Sequence, residues 1–146
     1  MKAVSIVTPG KIEIIELPDP TPSSTEVVVE VAAVGICGTD LHIFEGEFAP
    51  TFPIVPGHEM TGTIVAIGKD ITEVKIGDPV AIDPSVYCGE CFYCRRARGN
   101  LCENWNALGV SMPGAAAQFL LSPKKNIHKL SKDIDLTDPR FVNIFA

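Results

Sequence analysis

The chain is expected to fold as a mainly β domain of the barrel or sandwich class. Short runs rich in valine, isoleucine and threonine recur along it, glycine- or proline-marked turns separate them at regular spacing, and no segment before Asp135 carries a convincing helical period. Its 146 residues suffice for one domain with one buried core, not for two.

The elements follow in order. Lys2 to Thr8 and Lys11 to Leu17 read as a hairpin turning at Pro9-Gly10, with Ile12 and Ile14 alternating with polar residues. Pro18 to Ser24 carries three prolines and continues neither strand nor helix, so it is a surface loop. Glu26 to Val34 is the strongest strand, valine-rich and bounded by Gly35. Thr39 or Asp40 is placed to cap a short helical turn through His42. Ala49 to Pro56 is an extended proline loop that delivers Gly57-His58-Glu59 to a strand from Met60 to Ile67, where Gly62 marks a close approach of another chain segment. The Lys75-Ile76-Gly77-Asp78 turn leads into Pro79 to Ile82. A cysteine lobe runs from Tyr87 to Cys102, followed by strands near Leu108 to Val110 and Ala117 to Leu121. Leu136 to Ala146 opens on Thr137-Asp138-Pro139, a helix cap with proline in the first turn, and then turns apolar. It reads either as the first turns of a longer helix or as a terminal helix packed on its own barrel.

Composition excludes several classes. Hydrophobic residues make up 46% and charged residues 21%, the balance of a globular domain rather than a disordered one. The net charge is −6 with acids and bases interspersed, so no basic stripe tracks a phosphate backbone and nucleic acid is not an expected partner. The N-terminal apolar run ends at Pro9-Gly10, too short for a signal peptide or a membrane span, which implies a cytoplasmic chain and no membrane partner. In that reducing setting five cysteines, four of them within fifteen residues, suit metal better than disulfides.

Two constellations carry the chemistry. Cys88-x-x-Cys91-x-x-Cys94-x7-Cys102 places four thiolates at short spacing, enough to close a tetrahedron around zinc with no position left for substrate; that lobe is structural. Arg95, Arg96 and Arg98 lie in the same loop and offset the formal −2 of a tetrathiolate zinc. The alternatives are two disulfides, free thiols or an iron–sulfur cluster. Cys37, His58 and Glu59 offer a thiol, an imidazole and a carboxylate, a donor set for a catalytic zinc with an open position. Thr39, Asp40 and His42 beside Cys37 supply what a proton relay and a ligand-orienting hydrogen bond need. By spacing alone the favoured readings are instead a buried thiol with a loop histidine, and a helix cap with solvated polar residues. His128 reads as a loop residue without a role.

Gly35-Ile36-Cys37-Gly38-Thr39-Asp40-Leu41-His42, Pro56-Gly57-His58-Glu59-Met60-Thr61-Gly62, the Gly77-Asp78 turn and the four-cysteine lobe, in that order, resemble the N-terminal GroES-like domain of zinc-dependent medium-chain alcohol dehydrogenases. The resemblance covers essentially residues 1–146 and is greatest to the polyol, sorbitol and threonine dehydrogenase branch. It implies a partly open β-barrel with short helices, a zinc lobe at 87–102 and the start of a linking helix at 136–146. It further implies two zinc ions per chain: a catalytic one held by Cys37, His58 and Glu59 with a water, and a structural one held by Cys88, Cys91, Cys94 and Cys102. By the same match Thr39 and His42 relay the alcohol proton to solvent, and Asp40 orients His58.

The reaction so implied is oxidation of a small secondary alcohol or polyol to a ketone, with a nicotinamide, NAD or NADP, taking the hydride. Such enzymes are more than twice as long and hold that cofactor on a second, doubly wound domain. This sequence has no Gly-x-Gly-x-x-Gly turn and no strand–helix alternation to carry one, so the chain by itself is expected to be inactive and not to bind NAD(P). Two positions depart from the pattern: Asn143 stands where relatives of this branch carry a glutamate near the metal, and Pro79 replaces a basic residue after Gly-Asp. A cut domain or a degenerate reading frame are the corresponding expectations. So is self-association through an apolar face normally covered by the cofactor domain. The competing function is a free-standing zinc-stabilised module that binds partners without catalysis.

Overall fold

The computed structural model describes residues 1–48 and 50–145; Ala49, which opens the expected proline loop, and Ala146, which ends the expected helix, lie outside the described residues. β1 (Lys2–Thr8) and β2 (Lys11–Glu16) pair antiparallel from Lys2↔Glu16 to Thr8↔Lys11, as the Pro9-Gly10 turn requires. Only β1 is buried, through Ala3, Ser5 and Ile6; Ile12 and Ile14 of β2 point to solvent. The alternation in β2 is therefore real, but its apolar face covers no core among the described residues.

The centre of the fold is a curled half-barrel sheet in the order β8-β3-β4-β5-β9, every neighbour antiparallel. Its strands are β3 (Glu26–Gly35), β4 (Glu59–Ile67), β5 (Pro79–Ile82), β8 (Phe119–Pro123) and β9 (Ile127–Lys129). β3 supplies Val27 and Val29, both fully buried, to a core completed by Met60, Ile64, Val80, Ile82, Leu108 and Leu120. At Gly62 two backbones approach closely: a Cβ there would stand 2.3 Å from the carbonyl oxygen of Glu30. The buried carboxylate of Asp78 accepts from the Lys75 N–H (3.0 Å) and from Lys129 Nζ (2.9 Å), which ties the turn before β5 to its neighbour β9.

The remaining elements are short. α1 (Gly38–Glu45) follows β3, and α2 (Pro139–Val142) packs against β3 and β4 with Asp138 as its N-cap. The cysteine lobe contains 3-10 turns at Cys94–Arg96 and Gly99–Leu101, flanked by the two-residue pair β6 (Ser85–Val86) and β7 (Asn106–Ala107). The strand expected at Leu108 to Val110 is a turn, because Gly109 takes a left-handed φ of 79° that breaks an extended run. β8 starts two residues later than expected. His128 belongs to strand β9, not to a loop, and its ring lies 4.4 Å from that of Phe145. Among the described residues no helix is long and apolar enough to cross a membrane.

Candidate metal centre

Cys37 leaves β3 in an extended conformation (φ −105°, ψ 166°) and is itself the N-cap of α1. Its Sγ accepts from the Thr39 N–H at 3.4 Å, while Asp40 Oδ2 accepts from the Cys37 N–H at 2.9 Å, a reciprocal capping pair. This corrects the expectation that Thr39 or Asp40 caps the turn: the first oxygen-bearing residue lies too far into the helix, and the sulfur takes the role. α1 also runs one turn past His42, to a left-handed Gly46.

The other two donors arrive at the start of the neighbouring strand, His58 immediately before β4 and Glu59 as its first residue. β3 and β4 end their pairing at Gly35↔Glu59, so the residues just beyond Gly35 and at the start of β4 meet at one edge of the sheet. There a sulfur of Cys37, a ring nitrogen of His58 and a carboxylate oxygen of Glu59 all lie within 4.8 Å of one another. Asp40, buried, joins the parts: Oδ1 accepts from the Gly57 N–H (3.3 Å) and stands 3.6 Å from His58 Nδ1. That distance is just beyond a hydrogen bond, and the buried Nδ1 has no hydrogen-bond partner among the described residues. The imidazole therefore has one nitrogen turned to a carboxylate, the arrangement that metal-binding histidines take.

The electrostatics suit a cation. The Asp40 carboxylate beside His58 raises its pKa to about 9, over the opposing effect of burial. The Thr39 N–H and then His58 lower the Cys37 thiol below its ordinary value. Burial pushes the Asp40 carboxyl up, but His58 and the Cys37 N–H more than offset it, and the net direction is down. A thiolate, a neutral imidazole and a carboxylate at this spacing have the donor chemistry and charge of a zinc site, and the residues present fit that ion.

Other residues line up less directly. Thr39 Oγ1 lies 3.7 Å from Cys37 Sγ. His42 is exposed on α1 and pairs through Nδ1 with Glu47 Oε2 at 2.6 Å. With Glu45 these two form a third, fully exposed donor cluster that sequence spacing does not single out. Asn143 closes the C-terminus of α2 and is exposed; the three-donor set assembles without it.

A glycine clamp went unread in the sequence. The N–H groups of Gly114, Ala115 and Ala116 donate to the carbonyls of Val55, Gly57 and Pro56 (2.8, 2.9 and 2.9 Å), which fixes the backbone that presents His58. A Cβ on Gly109 or on Gly114 would stand 2.4 Å from Gly57 O, so neither position admits a side chain. The run of small residues from Gly114 to Ala117 was the available signal.

The lobe is compact by contrast. Cys88, Cys91, Cys94 and Cys102 bring their sulfurs within 4.8 Å of one another, and all five cysteines of the chain are free thiols. Backbone donors aim at the sulfurs: the Cys88 N–H at Cys102 Sγ (3.3 Å) and the Cys94 N–H at Cys91 Sγ (3.5 Å). The Cys94 and Glu103 N–H groups lower Cys91 to about 6, whereas burial, reinforced by the neighbouring sulfurs, pushes Cys94 up to about 12. Four thiolates this close cannot all ionise without a cation among them, so the cluster also fits zinc. Arg95 and Arg96 turn onto the lobe's own carbonyls, at Glu90 O (2.6 Å) and Phe92 O (3.0 Å).

Comparison with known proteins agrees with this fold. Residues 23–132 match the family model of the alcohol dehydrogenase GroES-like domain. The chain is 40% identical over 134 residues to D-arabitol-phosphate dehydrogenase of Enterococcus avium, covering 89% of this chain and 38% of that protein. It is 40% identical over 141 residues to L-threonine 3-dehydrogenase of Saccharopolyspora erythraea, covering 92% and 41% respectively. A Sinorhizobium meliloti protein described as a zinc-binding dehydrogenase and solved with NADP superposes with a TM-score of 0.91 at 35% identity, over 96% of this chain and 41% of that one. The chain spans about two fifths of the length of each of these relatives.

Proposed function

The chain belongs to the family of alcohol dehydrogenase GroES-like domains, and from that premise we propose that it is the zinc-binding catalytic domain of an alcohol or polyol dehydrogenase, oxidising a secondary alcohol to a ketone with NAD(P). The observation that carries this reading is the convergence of Cys37, His58 and Glu59 within 4.8 Å, with Asp40 behind the imidazole. These three residues hold the catalytic zinc, and Cys88, Cys91, Cys94 and Cys102 hold a structural one. When bound, the catalytic ion supplies Lewis acidity that lowers the pKa of the alcohol hydroxyl.

The chain's own residues do the rest. Asp40 turns Nδ1 of His58 toward itself and so keeps the other ring nitrogen in position as a ligand; it also holds the backbone of Cys37 and Gly57 in place. Thr39, its hydroxyl beside the ligand sulfur, takes the alcohol proton, and His42 passes it to solvent from its exposed position next to Glu47. A bound nicotinamide would supply the hydride acceptor, so that one alcohol would yield one ketone, one reduced cofactor and one proton. Cysteines grouped as metal ligands suit a reducing, cytoplasmic setting.

Metal analysis of the purified chain tests the proposal. Two zinc ions per chain are expected, falling to one in Cys37→Ser with little change in melting temperature. A single zinc that survives Cys37→Ser unchanged would instead favour a structural module without catalysis.

A further inference from the structure

Resting on the reading of Cys37, His58 and Glu59 as a metal set, we infer that Gly35 is a positioning residue for the Glu59 carboxylate, and that its missing side chain is the space in which that ligand lies. Of the three donors Glu59 is the least restrained. Cys37 is fixed as a helix cap and His58 is set against Asp40, whereas no hydrogen bond among the described residues holds the carboxylate of Glu59. Something other than hydrogen bonding must keep a three-torsion side chain near the sulfur and the imidazole.

Gly35 and Glu59 are the last register pair of β3 and β4, and cross-strand partners project to the same face. A Cβ built on Gly35 would meet Glu59 Oε2 at 2.2 Å, Glu59 Cβ at 3.0 Å and Glu59 Cδ at 3.2 Å. Its three nearest atoms all belong to that one side chain. The backbone at Gly35 is not in the left-handed region, so conformation alone does not demand glycine there. Gly62 and Gly68 differ: a Cβ on either would strike backbone, Glu30 O at 2.3 Å or Ser23 O at 2.1 Å, and there glycine serves the fold. At Gly35 the obstacle is mainly the far end of a flexible side chain. An alanine displaces the carboxylate outright, whereas the 3.0 Å approach to Glu59 Cβ asks only a few tenths of an ångström of the strand pair, so the ligand set suffers more than the sheet.

The test is a double-mutant cycle on the 146-residue chain with its lobe loaded with zinc: wild type, Gly35→Ala, Glu59→Ala and the pair. The affinity of the Cys37 site is read by Co²⁺ titration against a competing chelator. Lobe zinc content and melting temperature report the fold. Gly35→Ala is expected to weaken Co²⁺ about 10- to 100-fold, the range for groups that orient a metal ligand, with lobe zinc and melting unchanged. Added to Glu59→Ala it should change nothing. An unchanged affinity in Gly35→Ala, an equal loss with and without Glu59, or a collapse of the fold would each overturn the inference, the last because glycine would then serve the strand. Co²⁺ binding that ignores Cys37→Ser would sink the underlying metal reading instead, which separates the two failures.

Discussion

The two cysteine-bearing regions solve the same chemical problem in opposite ways. In the lobe, four donors lie within fifteen residues, and the backbone between them supplies N–H groups to the sulfurs at 3.3 and 3.5 Å. At the split site the donors are about twenty residues apart, come from a helix cap and a neighbouring strand, and depend on Asp40 and on the 114–116 loop for their placement. Under the proposed reading the lobe depends on a metal for its shape, because few buried apolar residues lie in that loop; of the lobe's residues only Cys91 and Cys102 belong to the buried core set. The split site lies at one end of the central β3–β4 pair, whose inner residues are buried, and is held by the sheet's own packing. Metal should therefore matter to folding in one region and to chemistry in the other.

The largest effect expected from this contrast is on stability. Cys91→Ser leaves three sulfurs and a weak hydroxyl donor, so the lobe should lose its zinc and the chain about 4 kcal/mol or more, the scale of losing a structural metal. Chelation of the lobe zinc in the wild type should lower the melting temperature by a similar amount. The ion at Cys37 should remain in Cys91→Ser, as metal analysis and thermal melts on the same sample would show. A chain that melts at the wild-type temperature after losing its lobe metal would break the contrast, since the loop would then be self-supporting.

The same contrast explains what sequence made legible. Ligand spacing in the lobe is local, so Cys88 to Cys102 announce a metal by their chemistry alone. The split site is legible only through the resemblance of its two blocks to a known family, because nothing local states that β3 and β4 pair with Gly35 opposite Glu59. The long apolar strands β3 and β4 and the hairpin of β1 and β2 follow from composition and turn residues. β9 does not, because Lys124 to Lys129 is mostly polar and only Ile127 and Asn126 are buried; tertiary pairing with β5, not propensity, makes it a strand. The glycine clamp at Gly109 and Gly114 is invisible for a similar reason: the constraint is the backbone at residues 56–58, far away in sequence.

The next effect sharpens the role of Asp40, which has no counterpart in the lobe. A metal binds only neutral His58, and Asp40 raises that pKa to about 9, so below pH 9 proton competition weakens uptake by about tenfold per unit. Asp40→Asn removes two opposing effects at once. The histidine pKa should fall back toward its ordinary value near 6.5, which eases uptake at neutral pH, while the loss of an orienting carboxylate costs roughly 10- to 100-fold in affinity. The expected outcome is a difference that grows with pH: near-parity with wild type at pH 7, and a wild-type advantage of about 10- to 100-fold above pH 9. Zinc competition titrations against a chelator between those values would check it. A constant ratio across that range would mean that Asp40 does not set the protonation of His58.

The smallest effect distinguishes charge from contact in the lobe itself. Arg96 donates to Phe92 O at 3.0 Å, and its guanidinium carbon lies 3.6 Å from the centre of the Phe92 ring. If it acts by offsetting the negative charge of four thiolates, Arg96→Lys should preserve lobe zinc affinity and only Arg96→Ala should weaken it. If it acts by stacking and by its planar fork, lysine should be nearly as poor as alanine, each costing about 0.5–1 kcal/mol in thermal melts, with zinc retained in both. The geometry favours stacking, since both Arg95 and Arg96 are spent on carbonyls of the loop. Zinc competition titrations of the two variants at low and high salt separate the cases, because an exposed charge effect fades over a Debye length of about 8–10 Å at ordinary ionic strength and a stacked contact does not.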